Sequence, residues 1–168
     1  MGHAQTQGEA GALENLARQV LELADDAGMV IATAESCTGG QIASVLTEVE
    51  GLSNRVHCSF VTYSDAAKNE LLGIPLSLIE AEGAVSKDVV LAMAGGALAR
   101  SSADVAVAVS GYTGSAGKHE NGLVHFAVCK RDGYRIHREC HFGPVEREEG
   151  KAIATRFALD LLRGALAR

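Results

Sequence analysis

The chain has 168 residues, 47% of them hydrophobic, which is enough for one well-buried domain and too little for two ordinary ones. A net charge of −6, with 15 Lys and Arg against 21 Asp and Glu and only 4% aromatic residues, offers no basic face to a phosphate backbone, so no nucleic-acid partner is expected. No apolar stretch reaches the ~20 residues that cross a bilayer, and no basic-then-apolar leader opens the chain, so a cytoplasmic protein without a membrane partner is expected.

Residues 1–9, rich in Gly, Gln and Thr after a Met-Gly-His start, read as a disordered tail or cloning remnant, which leaves 10–168 as a single domain. Leu13, Leu16, Ala17, Val20, Leu21, Leu23 and Ala24 follow helical spacing over about 10–27, with Gly28 as the stop. A buried strand over 29–34 then runs into Thr33-Ala34-Glu35-Ser36-Cys37-Thr38-Gly39-Gly40, and helical spacing resumes over 38–49. A strand at 56–63 leads to a helix capped by Ser64, a break at Gly73-Ile74-Pro75, a short helical turn over 76–81, and a helix over 87–101 capped by Ser86. The small and β-branched run 103–109 reads as a central strand buried on both faces, followed by the glycine-rich loop 110–117. Two strands at 123–129 and 134–142 flank an Asp132-Gly133 hairpin signal, and a helix over 146–166 closes the chain. This order describes an α/β fold whose sheet is covered by helices on both faces and is mostly parallel with one antiparallel hairpin.

Ligands in such sheets gather at the carboxyl ends of parallel strands. Three strand ends here are polar or glycine-rich: Glu35 to Thr38, Thr62-Tyr63-Ser64, and Ser110 to Gly117. A hydroxyl at a strand-to-helix turn, beside unpaired helix-start amides, suits a nucleophile with an oxyanion or phosphate next to it, and Ser36 is the candidate. The plainer reading is that Ser36 or Thr38 only caps the helix. A serine needs a group that takes its proton; Lys68, in the first turn of its helix, is the candidate base, with its pKa lowered by the macrodipole and burial. Tyr63 would relay the proton or orient Lys68, while amides near Thr38, Gly39 and Gly40 would hold the oxyanion. Taken singly, Lys68 also reads as a solvated surface lysine and Tyr63 as an amphipathic strand residue. Cys37 is the rival nucleophile, since a thiol at a helix start gains thiolate character. The four cysteines show no Cys-x-x-Cys pair and the six histidines no zinc spacing, so reduced, mostly core thiols and no metal are expected.

Five blocks in order resemble the CinA C-terminal domain family: Thr33 to Gly40; Phe60 to Ser64 with Lys68; Leu72-Gly73-Ile74; Gly83-Ala84-Val85-Ser86; and Val107-Ala108-Val109-Ser110-Gly111. The resemblance, over nearly all of 10–166, implies a three-layer α/β/α fold around a mixed, mostly parallel five-stranded sheet. It implies hydrolysis of the amide of nicotinamide mononucleotide (NMN) to nicotinate mononucleotide and ammonia without a cofactor. The residues it implies are Ser36 as nucleophile, assisted by Tyr63 and Lys68. Thr38, Gly39, Gly40, Ser110, Gly111, Thr113, Gly114 and Arg147 are expected around the substrate. Three stretches depart from the family pattern: Tyr112-Thr113-Gly114-Ser115 stands where Ile-Ala-Gly-Pro is usual, Glu120-Asn121-Gly122-Leu123-Val124 where Lys-Pro-Val-Gly-Thr-Val follows, and Val145-Glu146-Arg147 where Gly-Asp-Arg is usual. The altered loop leaves open a pyridine-nucleotide-binding module without turnover, and a purely structural domain. A helix-mediated homodimer or trimer is also expected.

Overall fold

The computed structural model describes residues 2–115 and 117–168, with the side chains of 2–10 left aside. In chain order the elements are α1 (Gly2–Asp26), β1 (Ile31–Glu35), α2 (Gln41–Thr47), a 3-10 turn (Ser53–Arg55), β2 (Val56–Val61), α3 (Asp65–Leu72), α4 (Leu76–Glu82), α5 (Lys87–Ala99), β3 (Val105–Gly111), β4 (Leu123–Lys130), β5 (Arg135–His141) and α6 (Arg147–Leu166). Every expected element is present. The caps form as the sequence suggests: Ser64 accepts from the Ala67 amide at 3.1 Å, and Ser86 from the Val89 amide at 3.3 Å. Helix α1 begins well before the expected residue 10, although the side chains that pack start further along, with Leu13 and Leu16.

The five strands form one sheet in the order β2-β1-β3-β4-β5, so the fold is a three-layer α/β/α sandwich around a mixed sheet. The expected parallel majority needs correction at the level of ladders. β1 pairs parallel with β2 and β3, while β3–β4 and β4–β5 are antiparallel, an even split. The antiparallel half comes from two reversals of the chain, the long loop 112–122 between β3 and β4 and the tight turn 131–134 between β4 and β5, and a chain that reverses directly beside the strand it leaves cannot pair parallel with it.

Residue size differs sharply between the two faces. Ile31, Val105, Val107, Val109, Val124, Phe126 and Val128 pack under α1, α2 and α6. The opposite face presents Ala32, Ala34, Ala106, Ala108 and Ala127 to α5. Small side chains let α5 approach closely, and Gly96 of that helix lies directly under the carbonyl of Leu72 at the end of α3. Each fully buried Leu, Ile or Val in these layers contributes roughly 1.5–3 kcal/mol relative to exposure. β1 and β3 are buried on both faces, β3 as its apolar run 105–109 requires and β1 with Thr33 and Glu35 buried among its apolar residues.

This topology fixes where a ligand can sit. From β1 the chain crosses through α2 on one face to reach β2, then returns through α3, α4 and α5 on the other face to reach β3. The connection from the carboxyl end of β1 runs outward to β2 and that from β3 runs the opposite way to β4, so the crevice opens between β1 and β3. No helix among the described residues is long and apolar enough to cross a membrane.

Candidate active site

At that crevice lies a cavity of about 280 Å³ lined by Ser36 and Cys37 after β1, Tyr63 and Lys68 after β2, Ala84 and Val85 before α5, residues 110–115 after β3, and Arg147 of α6. The three strand ends singled out in the sequence therefore meet, and Ser36, Tyr63, Lys68, Ser110, Gly111, Thr113, Gly114 and Arg147 all face one space. Thr38, Gly39 and Gly40 lie outside this lining.

Lys68 is 1% exposed, and its Nζ donates to the Ser36 hydroxyl at 3.2 Å and to the Thr62 carbonyl at 2.9 Å. Burial pushes its ammonium below the ordinary lysine range, with the Asp65 carboxylate and the Cys37 sulfur pulling the other way. The group that orients Lys68 is thus the Thr62 carbonyl. Tyr63 is 68% exposed, and among the described residues its phenol makes no hydrogen bond to Lys68 or Ser36. It stands at the cavity rim as a solvent-facing aromatic wall.

The amides expected for the oxyanion are used differently. Glu35, the last residue of β1 and 0% exposed, turns its carboxylate under the start of α2. Oε2 accepts from the Gly40 amide at 3.0 Å, the Ile42 amide at 3.1 Å and the Thr38 hydroxyl at 2.7 Å. Oε1 accepts from the Ala43 amide at 2.9 Å and the Thr33 hydroxyl at 3.1 Å. The Gly39 amide bonds to the Ser36 carbonyl at 3.2 Å, and the Ser36 amide to the Val109 carbonyl at 3.1 Å. Among the described residues, the amides of Cys37 and Thr38 are those of the turn that donate to no other residue. The sequence did carry a signal for Glu35, since a carboxylate closing an apolar strand one turn before a helix must find donors.

Cys37 also departs from expectation. Burial pushes its thiol up to about 12, and the neighbouring Glu35 carboxylate acts in the same direction, outweighing its backbone amide, Lys68 and Lys151. The helix start that would stabilise a thiolate is taken by Glu35, so this sulfur stays protonated and weakly nucleophilic at neutral pH. All four cysteines are unpaired, but only Cys129 is fully buried.

Segments 83–86 and 110–115 close the cavity. The Ser110 hydroxyl donates to the Ala84 carbonyl at 2.7 Å, tying the segment before α5 to the end of β3. Gly114 and Gly150 let the loop rest on the first turn of α6: a Cβ at Gly114 would come within 3.1 Å of the Arg147 Cβ, and one at Gly150 within 2.8 Å of the Thr113 carbonyl oxygen. This contact brings Arg147 to the cavity wall. Further along the loop, Tyr112 stacks on His119 with ring centroids 4.5 Å apart, and Ala116 lies outside the described residues. Ala84 and Val85 carry no polar signature, and only the folded chain reveals them as cavity wall.

A sequence model described as the CinA C-terminal domain matches residues 13–166. The chain is 48% identical over 143 residues to a CinA-like protein of Mycobacterium sp. (strain JLS), an alignment covering 83% of this chain and 34% of that relative. It thus spans about a third of the length of the curated relatives it matches. The crystal structure of competence/damage inducible protein CihA from Agrobacterium tumefaciens superposes with a TM-score of 0.89 at 42% identity, covering 93% of this chain and 96% of that one. The competence damage-inducible protein A (ComA) from Klebsiella pneumoniae superposes with a TM-score of 0.88 at 34% identity, covering 93% and 98%.

Proposed function

The chain belongs to the CinA C-terminal domain family, and from that premise and the geometry of its cavity we propose that it hydrolyses the carboxamide of NMN to nicotinate mononucleotide and ammonia. The observation that carries this reading is a lysine, 1% exposed, whose Nζ lies 3.2 Å from a serine hydroxyl in a cavity at the carboxyl ends of three parallel strands.

The proposed chemistry needs no group beyond these side chains and water. Neutral Lys68 takes the Ser36 proton as Oγ attacks the amide carbon, and the carbonyl oxygen gains the negative charge of a tetrahedral intermediate. The amides of Cys37 and Thr38 stand next to Ser36 and, among the described residues, donate to no other residue, which supports them as donors to that oxygen in place of the Gly39 and Gly40 amides. Lys68 returns its proton to the departing nitrogen, the C–N bond breaks, and ammonia leaves an ester on Ser36. Water, deprotonated by the same amine, attacks the ester and releases nicotinate mononucleotide.

Arg147 supplies an exposed cation for the phosphate, Tyr63 an exposed aromatic face for the pyridine ring, and the backbone of 110–114 polar groups along the ribose side. The small cavity and buried amine favour a compact nucleotide. Cytoplasmic placement and a homo-oligomeric assembly belong to the same proposal.

The test is ammonia release from NMN by the wild type and by Ser36→Ala, Cys37→Ala and Lys68→Ala. Activity lost in the serine and lysine variants with folding intact, and retained in Cys37→Ala, is the expected pattern. A dead Cys37→Ala beside a fully active Ser36→Ala would reverse the assignment. Because Tyr112-Thr113-Gly114-Ser115 forms the cavity wall where the family usually carries another sequence, a second reading is a binding module without turnover. Saturable NMN binding with no ammonia from the wild type would select it.

A further inference from the structure

Glu35 is the most deeply buried acid in the molecule's central strands, and the chemistry above does not use it. An isolated carboxylate in such a place is strongly unfavourable, so its five donors indicate that the surrounding turn is built around it. Its backbone and side chain act on opposite halves of the cavity. The Glu35 carbonyl accepts the Thr62 amide at 2.8 Å, and the Thr62 carbonyl in turn accepts Lys68 Nζ at 2.9 Å. The Glu35 carboxylate gathers the Gly40, Ile42 and Ala43 amides and the Thr38 hydroxyl, closing the turn that carries Ser36. Gly39 and Gly40 are both left-handed, with φ of 63° and 96°, so the turn can fold back over the carboxylate.

We propose that Glu35 is a positioning residue: its side chain sets the location of the Ser36 hydroxyl against a lysine that is anchored independently through the Glu35 main chain. This rests on the reading of Ser36 and Lys68 as nucleophile and base. Replacing the side chain perturbs the nucleophile half alone, because the route from the Glu35 carbonyl through Thr62 to Lys68 is main chain up to the amine. A general structural role would loosen both halves.

Glu35→Gln separates these cases. An amide nitrogen in place of either carboxylate oxygen faces a backbone N–H, Ala43 on one side or Gly40 and Ile42 on the other, so at least one of those bonds is lost. Expected is a fall in kcat of about 10²-fold, the scale of a misplaced reacting group, with KM for NMN nearly unchanged and the acidic limb of the pH profile, where the rate rises as Lys68 loses its proton, in its wild-type position. A crystal structure of the variant is expected to show Ser36 Oγ beyond hydrogen-bond distance of Lys68 Nζ while the Lys68–Thr62 bond persists. Wild-type kcat overturns the proposal, as does a Ser36–Lys68 contact that stays closed whatever the rate, or a Lys68 displaced together with Ser36.

Should Glu35→Gln fail to fold, Thr38→Val removes one donor to the same carboxylate, and the same readouts decide. If the wild type itself releases no ammonia from NMN, the functional reading falls, and the crystallographic separation still decides the positioning role.

Discussion

Replacing Lys68 by Met keeps the length of the side chain and removes its amine. In the folded chain Nζ bonds to Ser36 Oγ and the Thr62 carbonyl, and burial is the largest cause of its lowered pKa. General-base catalysis contributes about 10²–10⁴-fold, so kcat/KM for ammonia release should fall by that factor, equivalent to about 2.7–5.4 kcal/mol of transition-state stabilisation. Stability should move the other way. The native state holds the Lys68 proton less tightly than the unfolded chain, whose lysine titrates near 10.5. Below the depressed pKa, folding therefore carries the full cost of a buried ammonium, and stability rises with pH across the window up to about 10.5. Lys68→Met removes that cost, so its melting temperature at neutral pH should match or exceed the wild type, with any advantage shrinking as pH rises. The assay pairs an ammonia-release pH profile with thermal melts over the same range. Wild-type activity in Lys68→Met would sink this account of the base, and so would a wild-type rate that does not rise with pH and level off below the ordinary lysine range.

Cys37, its thiol held up to about 12, should react slowly with iodoacetamide at neutral pH in the native protein and rapidly once unfolded, and Cys37→Ala should keep most of the ammonia-release rate. Gly96→Ala would drive a Cβ into the Leu72 carbonyl between α5 and α3. Overpacking of this kind costs about 1–3 kcal/mol, roughly 2–12 °C of melting temperature for a chain of this size, and the rate per folded molecule should be unchanged. On the β4–β5 face, hydrogen bonds that the His141 ring donates to the Glu120 and Glu139 carboxylates raise its pKa above 6.5, whereas burial lowers those of His125 and His137. NMR titration should separate the three in that order, and Glu120→Gln should bring His141 down. By linkage the His141 contribution is present in acid and lost as pH rises through its folded pKa, while acidification through 6.5 and below weakens the fold through His125 and His137.

The sequence was most legible where periodicity and chemistry coincide. The apolar runs ending at Glu35, Val61 and Gly111 announced strands whose polar carboxyl ends share one edge, which was enough to bring Ser36, Tyr63 and Lys68 into one cavity. Directions of side chains were less legible. Glu35 reads as one more polar strand end, and only the folded turn shows its carboxylate taking the amides that an oxyanion would otherwise use. Tyr63 follows Thr62 on the strand end, yet the neighbouring backbone carbonyl, a group every residue carries, is what holds Lys68. Ala84 and Val85 reach the cavity only because the Ser110 hydroxyl holds the segment before α5, a long-range bond with no local pattern. The balance of parallel and antiparallel ladders likewise depended on where β4 paired, since the Asp132-Gly133 hairpin signal set β4 against β5 but not β4 against β3.

The central claim is that Ser36 becomes covalently attached to the acyl group of the substrate with Lys68 as its base. Rapid acid quench of the wild type turning over NMN, followed by proteolysis and mass mapping, tests it most directly. A nicotinate-nucleotide ester is expected on the peptide carrying Ser36, absent from Ser36→Ala and sharply reduced in Lys68→Met. The same adduct on Cys37, or an undiminished burst of ammonia from Ser36→Ala, would contradict it.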